Sequence, residues 1–82
     1  MFSLIAGGAA ASQGHLGIVQ YLIENNFISK DIYNNILAHA AGGNQKQVVD
    51  YLISKGADDF QSAIDYARMD NHTDMIKYLQ TF

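Results

Sequence analysis

The chain contains no cysteine and no proline among its 82 residues, few basic side chains, and no long apolar run. Without cysteine there is no disulfide, thiolate metal site or cysteine nucleophile, a composition compatible with a reducing compartment. The missing proline, with only short polar breaks, points to helices. Five Lys and Arg against eight Asp and Glu leave a formal charge of -3, whereas a surface for duplex nucleic acid needs clustered bases to displace counterions from phosphate. No stretch approaches the roughly 20 apolar residues of a membrane-crossing helix, so no membrane partner is expected. What remains is 49% hydrophobic and 16% charged, the balance of a folded chain and of one small domain.

The acids are unevenly placed. From Gly56 onward Asp58, Asp59, Asp65, Asp70 and Asp74 face only Arg68 and Lys77, so the last third holds the whole net charge. Met1 to Ala11 is apolar, but the first lysine is Lys30 and the alanines run straight into a repeat. The segment is therefore read as structure and not as a secretory leader.

Self-comparison yields three copies of one pattern. Gly14-His15-Leu16-Gly17-Ile18-Val19-Gln20-Tyr21-Leu22-Ile23, Asn44-Gln45-Lys46-Gln47-Val48-Val49-Asp50-Tyr51-Leu52-Ile53 and Asn71-His72-Thr73-Asp74-Met75-Ile76-Lys77-Tyr78-Leu79-Gln80 each read turn, polar entry, apolar pair, polar, Tyr, Leu. Their tyrosines recur at spacings of 30 and then 27 residues, and Ala9-Ala10-Ala11, His39-Ala40-Ala41 and Tyr66-Ala67-Arg68 precede them. In the second copy Ile36, Leu37, Ala40 and Ala41 share one helix face, as do Val48, Val49 and Leu52. Alanines allow helix axes to approach, and Gly42-Gly43-Asn44 supplies a left-handed stop between the two helices. Helices of about ten residues cannot bury their apolar stripes alone, so the hairpins must stack. The tyrosine column is expected to pack on neighbouring units with its hydroxyls in water. In the first copy Gly7-Gly8 weakens the leading helix by about 1 kcal/mol per glycine relative to alanine, and that helix is expected to fray.

The chain resembles the ankyrin repeat family over nearly its whole length. The resemblance is carried by Gly14-His15-Leu16 with Ile18-Val19-Gln20-Tyr21-Leu22-Ile23-Glu24, and by Ala40-Ala41 through Val48-Val49-Asp50-Tyr51-Leu52-Ile53 to Lys55-Gly56-Ala57-Asp58. Its shortened repeats and Tyr-Leu-Ile outer helices look most like ankyrin proteins of large amoeba-infecting DNA viruses and of intracellular microbes. The resemblance implies an all-α fold, a short ankyrin-like solenoid of about three stacked helix-turn-helix units over residues 1–28, 29–58 and 59–82, with reduced β-turn fingers. The family's Thr-Pro-Leu-His box falls on Asn35-Ile36-Leu37-Ala38 and Ser62-Ala63-Ile64-Asp65, so its proline and its unit-tying histidine are missing. Only Asp59, Phe60 and Gln61 separate Asp58 from Ser62, too few for a finger, whereas Ser29 to Asn34 has room for a tight turn.

Chemistry is hard to find. His15, His39 and His72 never share the i, i+4 spacing of paired helix ligands, and two turn positions two units apart lie roughly 20 Å from each other. The serines lack a nucleophile elbow, and the glycine pairs lack a phosphate-loop ending. Asp58 and Asp59 suit a helix start, and Asn71-His72-Thr73 matches a glycosylation sequon by coincidence. No enzyme, metal or cofactor is expected. The resemblance implies a protein-protein interaction module, intracellular and cytoplasmic (a host's cytoplasm for a viral or microbial protein), that binds another protein through inner-helix and adjoining turn residues. These are Gln13, Asn34, His39, Gln61, Asp65, Arg68, Met69 and Asp70. So small a face falls short of the roughly 800 Å² per partner of a standard interface, so weak binding is expected. The alternatives are a piece of a longer array or a unit that self-associates through Met1, Phe2, Leu4 and Ile5, and, far behind, a small metal protein or enzyme.

Overall fold

A computed structural model describes residues 4–82, with Leu4, Ile5 and Ala6 described in their backbone alone. Six α-helices follow in order: α1 Leu4–Ser12, α2 Leu16–Glu24, α3 Tyr33–Gly42, α4 Lys46–Ser54, α5 Phe60–Met69 and α6 Thr73–Leu79. A 3-10 turn, Lys30–Ile32, precedes α3, and no strand occurs among the described residues. The proposed self-association end lies outside what is described, Met1 and Phe2 entirely and Leu4 and Ile5 in their side chains.

The hairpins pair α1 with α2, α3 with α4 and α5 with α6. The inner helices α1, α3 and α5 lie side by side, with α3 packed between the other two. Their contact faces are made of small and branched residues: Ala10, Ala11, Ile36, Leu37, Ala40, Ala41, Ala63 and Ala67 are all buried. Val19, Leu22, Val48, Val49, Leu52, Met75 and Leu79 close the core from the outer helices. The stack is elongated, 33 × 20 × 17 Å.

Each hairpin turns by the same device. Gly14, Asn44 and Asn71 hold φ of +80°, +59° and +58°. The following amides, His15, Gln45 and His72, reach back to Ala10, Ala40 and Ala67 carbonyls at 2.9–3.0 Å. This six-to-one bond satisfies a carbonyl that the helix end would leave orphaned. Outer helices α2 and α4 end likewise on Asn26 (+59°) and Gly56 (+109°).

The junctions differ in length as their sequences imply. Three extra residues before α3 form the 3-10 turn, while five residues, Lys55 to Asp59, join α4 directly to α5. Asp59 caps α5, its carboxylate accepting from Ser62 N at 3.2 Å and Ser62 Oγ at 2.8 Å.

The glycine pair in α1 has a role that the expectation of fraying missed: α1 is continuous through it. A Cβ at Gly7 would sit 3.0 Å from the Cδ1 atoms of Ile28 and Ile36, and one at Gly8 would sit 2.8 Å from His39 Cδ2. Glycine here lets α1 approach α3, offsetting its low helix propensity with packing.

Tyr51 and Tyr78 pack against the core as the tyrosine expectation has it, and their hydroxyls are in addition tied to the preceding outer helix at the surface: Tyr51 donates to Glu24 Oε2 at 3.0 Å and Tyr78 donates to Asp50 Oδ1. Tyr21, half exposed, rests against Phe27 with ring centroids 5.8 Å apart.

Candidate functional site

Because α1, α3 and α5 run in parallel, their C-terminal ends collect along one edge of the stack. The partial negative charge of three helix ends gathers there. Equivalent residues line up across units: Ala9, His39 and Tyr66 one turn back, then Ser12, Gly42 and Met69, then Gln13, Gly43 and Asp70. Ser12, His39, Gly42, Gly43, Tyr66, Met69 and Asp70 enclose a shallow groove of about 330 Å³.

The floor is glycine for a steric reason. A Cβ on Gly43 would collide with the Ser12 carbonyl, so the second and first units close to backbone contact only without a side chain there. The His39 ring meets Tyr66 edge to face, at 5.5 Å and 87°, and is half-buried against Gly8. Tyr66 is 40% and Met69 76% exposed. The groove therefore offers aromatic and thioether surface beside one exposed carboxylate, Asp70, a surface for packing against another molecule.

Of the residues selected from sequence, the structure brings His39, Met69 and Asp70 together in this groove. Gln13 is exposed on the same edge, where its Oε1 lies 3.1 Å from His15 Nε2. Asn34 is engaged elsewhere: its Oδ1 accepts from Asp58 N at 2.8 Å and Asp59 N at 3.0 Å, and its Nδ2 lies 3.2 Å from Asp58 Oδ1. It ties the second unit to the start of the third.

Gln61, Asp65 and Arg68 form a separate cluster on α5. Gln61 Nε2 donates to Asp65 Oδ1 at 3.0 Å, and Arg68 lies 3.3 Å from the same oxygen. In the second unit the matching positions are Asn34, Ala38 and Ala41, which lie under the third unit. The polar trio thus lies exposed on the face of the third unit that corresponds to the covered face of the second.

Tyr66 and Ser12 were missed by sequence reasoning. Tyr66 occupies the register of His39 in the next unit, so projecting the repeat from His39 would have found it. His15 and His72 are turn residues as expected. His72 Nε2 lies 3.1 Å from Gly42 O and, facing a carbonyl, must carry the proton. Among the described residues no group of three or more His, Cys, Asp and Glu is placed to hold a metal ion.

Stacked helical hairpins with left-handed turns and an open inner-helix groove define a helical repeat protein. The family model for ankyrin repeats, in three copies, matches residues 8–81, and the chain belongs to the ankyrin repeat family. Ankyrin repeats are in general protein-protein interaction modules and typically not enzymes. Neither the curated proteins nor the solved structures contain a match.

Proposed function

We propose that the chain is a non-catalytic, cytoplasmic interaction module that binds another protein through the concave inner-helix edge, with His39, Tyr66, Met69 and Asp70 as its contact residues and Gln13 beside them. The observation that carries this reading is the groove itself: exposed Tyr66 and Met69 beside Asp70, over a floor that Gly42 and Gly43 keep open. Exposed apolar groups next to parallel helix ends favour a partner segment that buries carbon and brings positive charge.

A photo-crosslinking residue at Met69 is expected to capture a partner that the same residue at Lys77, on the outer layer, does not. Tyr66→Ala with Asp70→Lys should abolish capture while helical circular dichroism is kept. Equal capture from both positions would refute the assignment of this edge.

A further inference from the structure

The second and third units enclose a further cavity on the outer layer, where α6 begins beside α4. Asn44, Lys46, Asp74, Met75 and Tyr78 line it, and its volume is about 280 Å³, close to the lower bound of roughly 300 Å³ for small-molecule pockets. None of the five lines the inner-helix groove, so the two sites are separate. The walls are fixed by contacts within the fold. Met75, 3% exposed, is the apolar floor. The Tyr78 hydroxyl donates to Asp50 Oδ1, and the ring meets Phe82 edge to face at 5.2 Å and 87°. Lys46 Nζ lies 3.3 Å from Asp50 Oδ2 and 4.3 Å from the centroid of the Tyr78 ring. An ammonium group has three N–H donors, so one donor of Lys46 remains for a guest. The side chains of Asn44 and Asp74 have no hydrogen bond or ion pair to any described residue.

The repeat supplies an internal comparison. At the junction of the first and second units the equivalent positions hold Gly14, Leu16, Gln47, Val48 and Tyr51. No charged residue stands there, and Leu16 is packed against the core. Stacking of hairpins therefore does not call for Lys46, Asp74 or the Asn44 amide. These groups face one cavity at this junction alone of the two.

We propose that this cavity binds a small zwitterion, a free α-amino acid with an apolar side chain. Lys46 and the Asn44 amide hold the carboxylate, Asp74 holds the ammonium group, and the apolar side chain lies on Met75 and Tyr78. Both polar ends make charge-assisted hydrogen bonds. A guest with both charges meets an opposite charge at each wall, whereas a lone anion is repelled by Asp74 and a lone cation by Lys46. The Lys46 ammonium is held in place by Asp50 and the Tyr78 ring before the guest arrives, which reduces the ordering that binding requires.

Amide proton–nitrogen correlation spectra of the whole chain, titrated with L-leucine, test it. The amides of residues 44–47 and 73–75 are expected to shift and saturate, while those of Ser12, Met69 and Asp70 in the groove stay in place. Isocaproate, which is leucine without the ammonium group, and isoamylamine, which is leucine without the carboxylate, should each bind at least about tenfold more weakly. Lys46→Leu and Asp74→Gln install the residues that the first junction carries at the same positions. Each should weaken leucine binding at least about tenfold with helical circular dichroism kept. Absence of saturable shifts at those amides overturns the proposal, and so does leucine binding unchanged by folded Lys46→Leu or Asp74→Gln. Either single-charge analogue binding as tightly as leucine overturns the choice of a zwitterion. The analogues are compared on the parent chain, so that outcome is decided even if a variant unfolds.

Discussion

At the scale of single residues, the two glycines that end α3 have opposite tolerances. Gly43→Ala is expected to destabilise the protein by about 1–3 kcal/mol, the usual effect of overpacking, since its Cβ would meet the Ser12 carbonyl. Gly42→Ala places its Cβ 3.4 Å from Tyr66 Cβ and gains helix propensity of about 1 kcal/mol, so it should be neutral or mildly stabilising. Urea midpoints of the pair decide this. Tyr51 gives a pH signature. Burial first, then its hydrogen bond to the Glu24 carboxylate and that group's charge, push its pKa from 10.0 up to about 12. Tyr78 is raised as well, chiefly by its bond to Asp50. A group whose pKa is higher folded than unfolded favours the fold while protonated. The contribution is therefore complete below pH 10 and is lost as pH climbs through about 12 for Tyr51. Urea midpoints measured across that interval should fall for the parent and fall less for Tyr51→Phe.

At the scale of elements, the junction between the second and third units depends on side chains acting as turn scaffolds. Asn34→Ala leaves the Asp58 and Asp59 amides without their acceptor and is expected to cost about 1–2 kcal/mol. Asp59→Ala removes the cap of α5 for about 1 kcal/mol. Both losses are read from denaturant midpoints, and a fall in stability with partner capture unchanged would show that Asn34 works inside the fold and not at the interface. The exposed ion pairs Lys46–Asp50 and Arg68–Asp65, each 3.3 Å, add little by themselves. Lys46 also lies 4.3 Å from the Tyr78 ring centroid, so α4 and α6 share one small polar network around Tyr78.

At the scale of the molecule, three hairpins hold one core, and no unit can be removed without uncovering its neighbour. Leu52 is fully buried at the centre of the array. Leu52→Ala is expected to cost about 2–5 kcal/mol and to lower the stability of all three units together. Far-ultraviolet circular dichroism and tyrosine fluorescence should therefore follow one coincident transition in parent and variant. Separate transitions by the two probes would show units that unfold independently.

The repeat made the architecture legible: the recurring Tyr-Leu pair, the small-residue inner helices and the Gly or Asn stops give hairpin count and helix order, because each is a local requirement of backbone conformation and period. The site was legible only in part. His39, Met69 and Asp70 followed from position in the motif, and Tyr66, in the register of His39, was open to the same projection. Asn34 and Gln61 share one register yet divide between a junction and an exposed helix face, because only the stacked structure shows which unit has a neighbour above it. The same holds for the glycines of α1 and for the tyrosine hydroxyls. Local sequence determines which segments become helices and where they turn. Contacts between residues about 30 positions apart decide which faces close and which stay open, because those contacts exist only once the units are stacked.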